Sequence, residues 1–397
     1  MQSTLGLPDA NRPIVALHRQ FAVCFLAFVL IGANDGAIGV LLPSLMGQYN
    51  VDKAGISLLF LTATLGYLIA AFGSGLLVER LGRQAFLVLG ASLFLLGTIT
   101  LVLQPPFLLF LLALFFVGAG GGTLDAGLNA YVASLPNNTA ALNYLHAFYG
   151  VGALLGPLAA SAVLAVGLGW NITYLLWSII AVLVLAGFAS VLDNARPVGG
   201  GSGNVMMASL RLSLVWMAAA FLFLYVGTEV SLGAWSYSFL LKERHGLALF
   251  SAWSVSGYWV GLTAGRLVLG RLSSRLGNRR LIELCLIGVV LGVLVLWLAP
   301  SGLAAALGLA LIGFSLGPLF PTVIALISDR LPARLQTSAI GFVAAGGSVG
   351  GAFFPLVIGN LAQALGIWTL MPYTIGLTMV MLALWLVLSR GRQSIVS

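Results

Sequence analysis

Three acidic side chains, Asp35, Asp125 and Glu229, fall well inside long apolar runs of this sequence. A charge at the centre of a membrane helix costs about 2.5–3.5 kcal/mol, so each needs a compensating role. Burial disfavours the ionised form of a carboxyl, and water reaching it from alternate sides would move it between protonated and ionised states. The chemistry on offer is therefore reversible proton binding. The structural alternative pairs each acid with a donor such as Asn34, Thr228 or Arg266, simply to hold helices together. Arg266 could meet a buried carboxylate, but its place in the run favours snorkelling to an aqueous end. His146 has an ordinary pKa of about 6.5 and suits either a pH-dependent step or a neutral hydrogen bond between helices.

Around these acids, Asn34, Asn129, Asn143 and Tyr149 in the first half and Trp235, Tyr237, Tyr258 and Trp259 in the second supply amides, hydroxyls and aromatic faces. A sugar needs that set: polar groups bond its hydroxyls, and an aromatic face covers the apolar side of the ring. Trp235 is the aromatic to test first. Trp170, Trp177, Trp216, Trp297 and Trp385 are expected at the interfaces or against lipid. No phosphate-binding loop, nucleophile elbow or metal cluster is present, and the three histidines are far apart, so an enzyme or an ATP-driven pump is not expected. No cofactor is implied beyond an ion gradient, with sodium as a possible substitute for the proton.

These residues must be positioned by membrane helices. Sixty per cent of the 397 residues are hydrophobic and 7% charged; the mean hydropathy is +1.08. No water-soluble fold covers its surface with so few charges. Continuous apolar runs near 20–43, 55–78, 85–103, 107–134, 143–166, 170–192, 213–241, 249–272, 281–299, 302–327, 337–364 and 367–389 predict twelve spanning helices rather than a barrel. The net charge of +8 comes from basic residues scattered between runs, which argues against nucleic acid as a partner. With the N-terminus inside, Arg80, Arg83, Arg196, Arg211, Arg271 to Arg280, Arg330 and Arg334 fall inside, and only Lys53, Lys242 and Arg244 outside. That asymmetry puts both termini in the cytoplasm. Cys24 and Cys285 read as small buried hydrophobes.

The glycine-rich stretch after Asp193 has linker composition and divides the chain into an N-terminal six-helix bundle (1–192), a cytoplasmic linker (193–212) and a C-terminal six-helix bundle (213–397). Sliding the sequence by 195 positions aligns Gly66, Gly75, Arg80 and Gly82 with Gly261, Gly270, Arg275 and Gly277, and Gly118 with Gly313. Asn34 and Glu229 match in the same register and should face one central cavity. A parallel repeat of six spans is a transporter architecture.

The run Gly75, Glu79, Arg80, Gly82 and Arg83 resembles the signature loop of the major facilitator superfamily, with Glu79 for the usual Asp and Gln84 where a basic residue is usual. Gly270, Arg275 and Gly277 repeat it. The resemblance implies an all-α membrane protein of twelve transmembrane helices in two six-helix bundles, the glycines allowing close helix approach and the acid and arginines pairing to bias conformation. Asn34-Asp35-Gly36, Asp125 with Asn129, and Asn143 through His146 to Tyr149 resemble the fucose permease (fucose:proton symporter) subfamily, as does the stretch from Gly227 through Glu229 to Trp235. That resemblance implies roles for Asp35 and Asp125 in sugar recognition and proton coupling. The sequence thus reads as a monomeric, proton-coupled sugar symporter of a bacterial inner membrane, working by alternating access. A sugar uniporter, a drug/proton antiporter exporting amphipathic compounds and a non-transporting receptor remain as alternatives.

Overall fold

The computed structural model describes residues 14–133, 138–191 and 203–390. Helices account for nearly all of them, and among the described residues there is no strand. In chain order the spans are Ile14–Tyr49, Leu58–Leu81, Arg83–Val102, Phe107–Ala133, Asn138–Ala165, Asn171–Val191, Ser213–Lys242, Ala248–Leu276, Asn278–Leu298, Gly302–Leu316 continued by Leu319–Arg330, Ala333–Leu365 and Leu370–Arg390. They are numbered first to twelfth below. Two short α-helices and one 3-10 turn add to them: Lys53–Ile56, whose first turn Asp52 caps through Gly55 N at 2.7 Å, Gly203–Leu210, and the turn Ile367–Thr369. Gly203–Leu210 falls in the expected linker, of which residues 193–202 lie outside the described residues.

Eleven described helices are long and apolar enough to cross a membrane. The eighth is as long as its neighbours, but Ser251, Ser254, Ser256 and Arg266 dilute its apolar character. The tenth span was expected to be continuous and instead breaks at Gly317-Pro318. Pro318 has no N–H to donate to the preceding turn, so the helix restarts there.

The 195-residue register survives in three dimensions. A Cβ on Gly66 would collide with the carbonyl of Phe115, and one on Gly261 with that of Ala310. Gly118 meets the carbonyl of Ala63 and Gly313 that of Tyr258; Gly122 meets that of Tyr67 and Gly317 that of Leu262. Every member of each pair is shifted by 195. The second–fourth crossing of one half is thus the eighth–tenth crossing of the other, and in each only hydrogen fits between the backbones.

Gly82 and Gly277, also 195 apart, join the second span to the third and the eighth to the ninth with φ +83° and +76°. Their ψ values of 161° and 148° complete a conformation that is essentially glycine's alone. Gly82→Ala and Gly277→Ala are each expected to cost about 1–3 kcal/mol, read as a lowered midpoint in thermal unfolding of the detergent-solubilised protein.

The signature loop departs from expectation elsewhere. Open space surrounds Gly75, with no atom within 4 Å of where a Cβ would stand, so it mediates no close approach in this conformation. Glu79 and Arg80 are exposed, with no ion pair between them among the described residues. Arg83 instead lies over the Tyr131 ring, 4.4 Å from its centroid, and Tyr131 donates to Gln20 Oε1 at 2.6 Å. Gln84 bonds the carbonyl of Ala189 at 2.9 Å and ties the third span to the end of the sixth. The Arg275 side chain and the surroundings of Gly270 lie outside what is described.

Candidate functional site

The two halves meet chiefly along three helix pairs, first with seventh, second with eleventh, and fifth with eighth, with smaller contacts between the first and eighth and between Lys53–Ile56 and the eleventh. The first of these crossings is made at backbone contact. A Cβ on Gly39 would sit 2.6 Å from the carbonyl oxygen of Gly233 and 2.7 Å from that of Ala234. At the end of the bundle marked by Lys53, its backbone N–H and Nζ reach Gln363 Oε1 at 3.3 and 3.5 Å, and Gly359 packs on Ser57 Oγ. Ser256 donates to the carbonyl of Leu154 at 3.0 Å. Among the described residues the fourth span touches neither the tenth nor the eleventh. The halves are therefore clamped at the Lys53 end and parted at the Arg80 end.

Between them lies a cavity of about 320 Å³, within the range that holds a small solute. Both halves line it. Asn34 and Asp35 from the first span, Tyr149 from the fifth, Glu229 from the seventh and Trp259 from the eighth all reach it. Asn34 donates Nδ2 to Asp35 Oδ1 at 3.2 Å, and Tyr149 donates its hydroxyl to Oδ2 at 3.0 Å. Small residues set this geometry: Gly32, Gly36, Gly152 and Gly156 let the first and fifth spans cross at backbone contact, bringing Asp35 and Tyr149 together.

Glu229 has an acidic oxygen 3.6 Å from Arg266 Nη2. Arg266 also donates Nε to the carbonyl of Gly317 at 3.4 Å, at the break in the tenth span. It does not snorkel, because a carboxylate and a carbonyl freed from regular helix both lie within reach inside the bundle. Tyr258 is fully buried and donates to the carbonyl of Glu229 at 3.0 Å, so it supports the seventh span instead of lining the cavity.

Asp125 does not line the cavity. It is half-buried between Tyr67, which donates to Oδ2 at 2.5 Å, and Asn129, which donates Nδ2 to Oδ1 at 2.8 Å. Asn129 is thereby committed to Asp125. Tyr67 itself lines the cavity, and sequence reasoning missed it. The available signal was the run Gly120 to Gly122, one turn before Asp125, which marks where another helix can approach to backbone contact.

Trp235 is a correction. It is fully buried and donates Nε1 to the carbonyl of Pro355 at 3.2 Å, because its ring lies on the flank of the seventh span that packs against the eleventh. Trp235→Phe is expected to cost about 1 kcal/mol, lowering the thermal midpoint while leaving solute affinity unchanged in a binding titration. His146 is exposed and packs edge-on against Phe28 at 5.5 Å, outside the cavity lining. Tyr237 is likewise buried away from the lining. Asn143's side chain lies outside the described residues. Trp170, Trp177 and Trp385 are core residues rather than lipid-facing ones: Trp170 packs among Tyr49, Phe110 and Tyr174, and Trp385 against Phe221. Cys24 and Cys285 are buried free thiols, as expected.

Comparison with known proteins agrees with this fold. The chain is 24% identical over 377 residues to the glucose/mannose transporter GlcP of Bacillus subtilis, covering 91% of each protein. Its fold superposes with a TM-score of 0.85 on a bacterial homologue of the human lysosomal transporter Spinster, crystallised inward-facing and unoccupied, at 13% identity over 96% of this chain and 98% of that one. It also superposes on FucP, the E. coli fucose:proton symporter, in an outward conformation, with a TM-score of 0.64, 20% identity, and coverage of 94% and 99%. The family model described as Major Facilitator Superfamily matches residues 24–254 and again 217–395, two overlapping stretches that together span nearly the whole chain. The chain is a multi-pass membrane protein belonging to the major facilitator superfamily, a transporter of small solutes and not an enzyme.

Proposed function

We propose that the protein is a proton-coupled symporter of a neutral sugar or similar polyhydroxylated solute. The observation that carries the reading is one cavity, between the halves, lined by a carboxylate from each and by Trp259. Asp35, Tyr149, Asn34 and Glu229 bond the solute's hydroxyls, and the indole face covers its apolar side. Asp125 carries the coupling proton, with Asp35 joining solute binding to the relay. The sugar class also draws support from the described substrates of the similar proteins, glucose and mannose for GlcP and fucose for FucP.

Both termini face the cytoplasm of a bacterial inner membrane in this reading, which makes the Lys53 end the outer face. The clamped outer face then matches the inward-facing state of the Spinster homologue better than the outward state of FucP, as the two TM-scores suggest. The protein works as a monomer, its halves rocking about the cavity.

The test is uptake into proteoliposomes under an imposed proton gradient. Radiolabelled glucose should accumulate in the wild type, and Asp125→Asn should retain exchange but lose accumulation. Accumulation that survives in Asp125→Asn overturns the proton assignment, and accumulation driven equally by a sodium gradient overturns the choice of ion. The cavity's second wall, Leu59, Phe60, Leu114 and Val117, is apolar. That wall favours a second reading, antiport of amphipathic compounds, which extrusion of a lipophilic cationic dye against inward proton flow would establish instead.

A further inference from the structure

Asp125 has both oxygens engaged, by Tyr67 at 2.5 Å and by Asn129 at 2.8 Å. An ionised carboxyl only accepts hydrogen bonds, whereas a protonated one also donates. Tyr67 lines the cavity and Asp125 does not, so the phenol stands between the acid and the solute space. Its backbone is held, because the Tyr67 carbonyl lies against Gly122 where no side chain fits. What remains free to change is the direction of its hydroxyl hydrogen.

The geometry points to Tyr67 as the positioning residue through which protonation of Asp125 is felt in the cavity; this inference rests on the symport reading above. With Asp125 ionised, the one phenolic hydrogen is committed to Oδ2 and withheld from the solute. When a proton from water binds Asp125, the new carboxyl O–H donates to the Tyr67 oxygen. The phenolic hydrogen then turns into the cavity and donates to a solute oxygen. The covalent change is the breaking of one hydronium O–H bond and the formation of the carboxyl O–H, which releases a water molecule and removes the charge of Asp125. Proton and solute therefore favour each other by about tenfold, the worth of one hydrogen bond, and by linkage the effect is reciprocal.

Other groups also face Asp125. His146 from the fifth span and Asp35 from the first interact with it electrostatically. Arg83 lies further along the third span, over Tyr131, and Glu79 and Arg80 stand at the far end of the second. Of these neighbours, Tyr67 is the one in hydrogen-bond contact from the cavity side.

The test is infrared difference spectroscopy of the full-length protein in liposomes, with isotope-labelled tyrosine, titrated between about pH 4 and 9. No solute is added, so its failure is separate from a failure of glucose uptake. The expected result is a carboxyl band that appears on acidification together with a shifted tyrosine C–O band. Both are lost in Asp125→Asn; in Tyr67→Phe the tyrosine component is lost and the carboxyl band remains. A carboxyl band with no tyrosine change, a tyrosine change that persists in Tyr67→Phe, or no Asp125 band across the range would each overturn the proposal. The phenylalanine variant keeps the ring and the Gly122 contact of its backbone and loses one hydrogen bond, so it should stay folded with a moderately lowered unfolding midpoint.

Discussion

Replacing Gly39 by valine is expected to abolish net transport while leaving each half folded. The first and seventh spans cross at this glycine, and any Cβ there falls 2.6 Å from the Gly233 oxygen and 2.7 Å from the Ala234 oxygen. Both obstacles are backbone, so neither can rotate away. Relief requires the two halves to separate at the Lys53 end, which is the arrangement of the opposite state. Overpacking of this kind costs about 1–3 kcal/mol, and about 2.8 kcal/mol changes the ratio of two states a hundredfold. Because Gly39 packs between halves and not within one, the penalty falls on one conformation and spares the fold. The readout is cross-linking of cysteines introduced at Lys53 and Gln363, which lie in contact across the closed end. The native Cys24 and Cys285 are buried and contribute little background. Cross-linking should be rapid in the parent and nearly absent with Gly39→Val; equal rates in both would refute the account.

The second large effect concerns the pair of Glu229 and Arg266. Their side chains are 11% and 30% exposed, so each charge has given up most of its hydration and depends on the other. Removing one partner of a buried pair typically costs 3–5 kcal/mol, since the survivor is left unpaired. Arg266 opens partly to water, which places Glu229→Gln or Arg266→Gln toward about 3 kcal/mol. The double variant should recover much of that loss, because two neutral amides can bond each other. Thermal unfolding of the four proteins in one detergent forms the cycle. If the double variant is as unstable as the sum of the singles, the two groups are not energetically coupled and the 3.6 Å contact contributes nothing.

Most of the framework could be read from the chain because it rests on repetition. Long apolar runs give helices in lipid whatever their neighbours, and glycines recurring at one offset disclose which helices cross at backbone contact. Asp35, Glu229 and Trp259 drew attention for a similar reason, that a charge or indole in such surroundings needs a polar space, and all three line the cavity. Tyr67 escaped notice because a single tyrosine in an apolar run is unremarkable until its partner is known, and that partner is 58 residues away on another helix. Trp235 and Tyr258 show the reverse failure. They are polar-tipped aromatics beside Glu229, yet helix rotation turns them onto packed flanks, and rotation is decided by contacts that no linear spacing reveals. Arg266 was misjudged because its partner carbonyl at Gly317 lies at the break in the tenth span, where Pro321, four residues on, has no N–H to pair with it.

The shared glycine crossings also say something about ancestry. The second–fourth and eighth–tenth crossings keep the same carbonyl-to-glycine contacts, residue for residue, while Asp125 has Phe320 as its counterpart, Arg266 has Ala71, and Glu229 has Asn34. An ancestral gene copied in tandem would pass on both its sterics and its polar groups, but only the sterics are pinned twice over, since losing one glycine unseats a helix. The polar positions were free to specialise, one half taking the paired charges and the other the acid held by a phenol. New solutes would then be acquired by exchanging side chains at unequal counterpart positions, on a scaffold whose crossings have no room to drift.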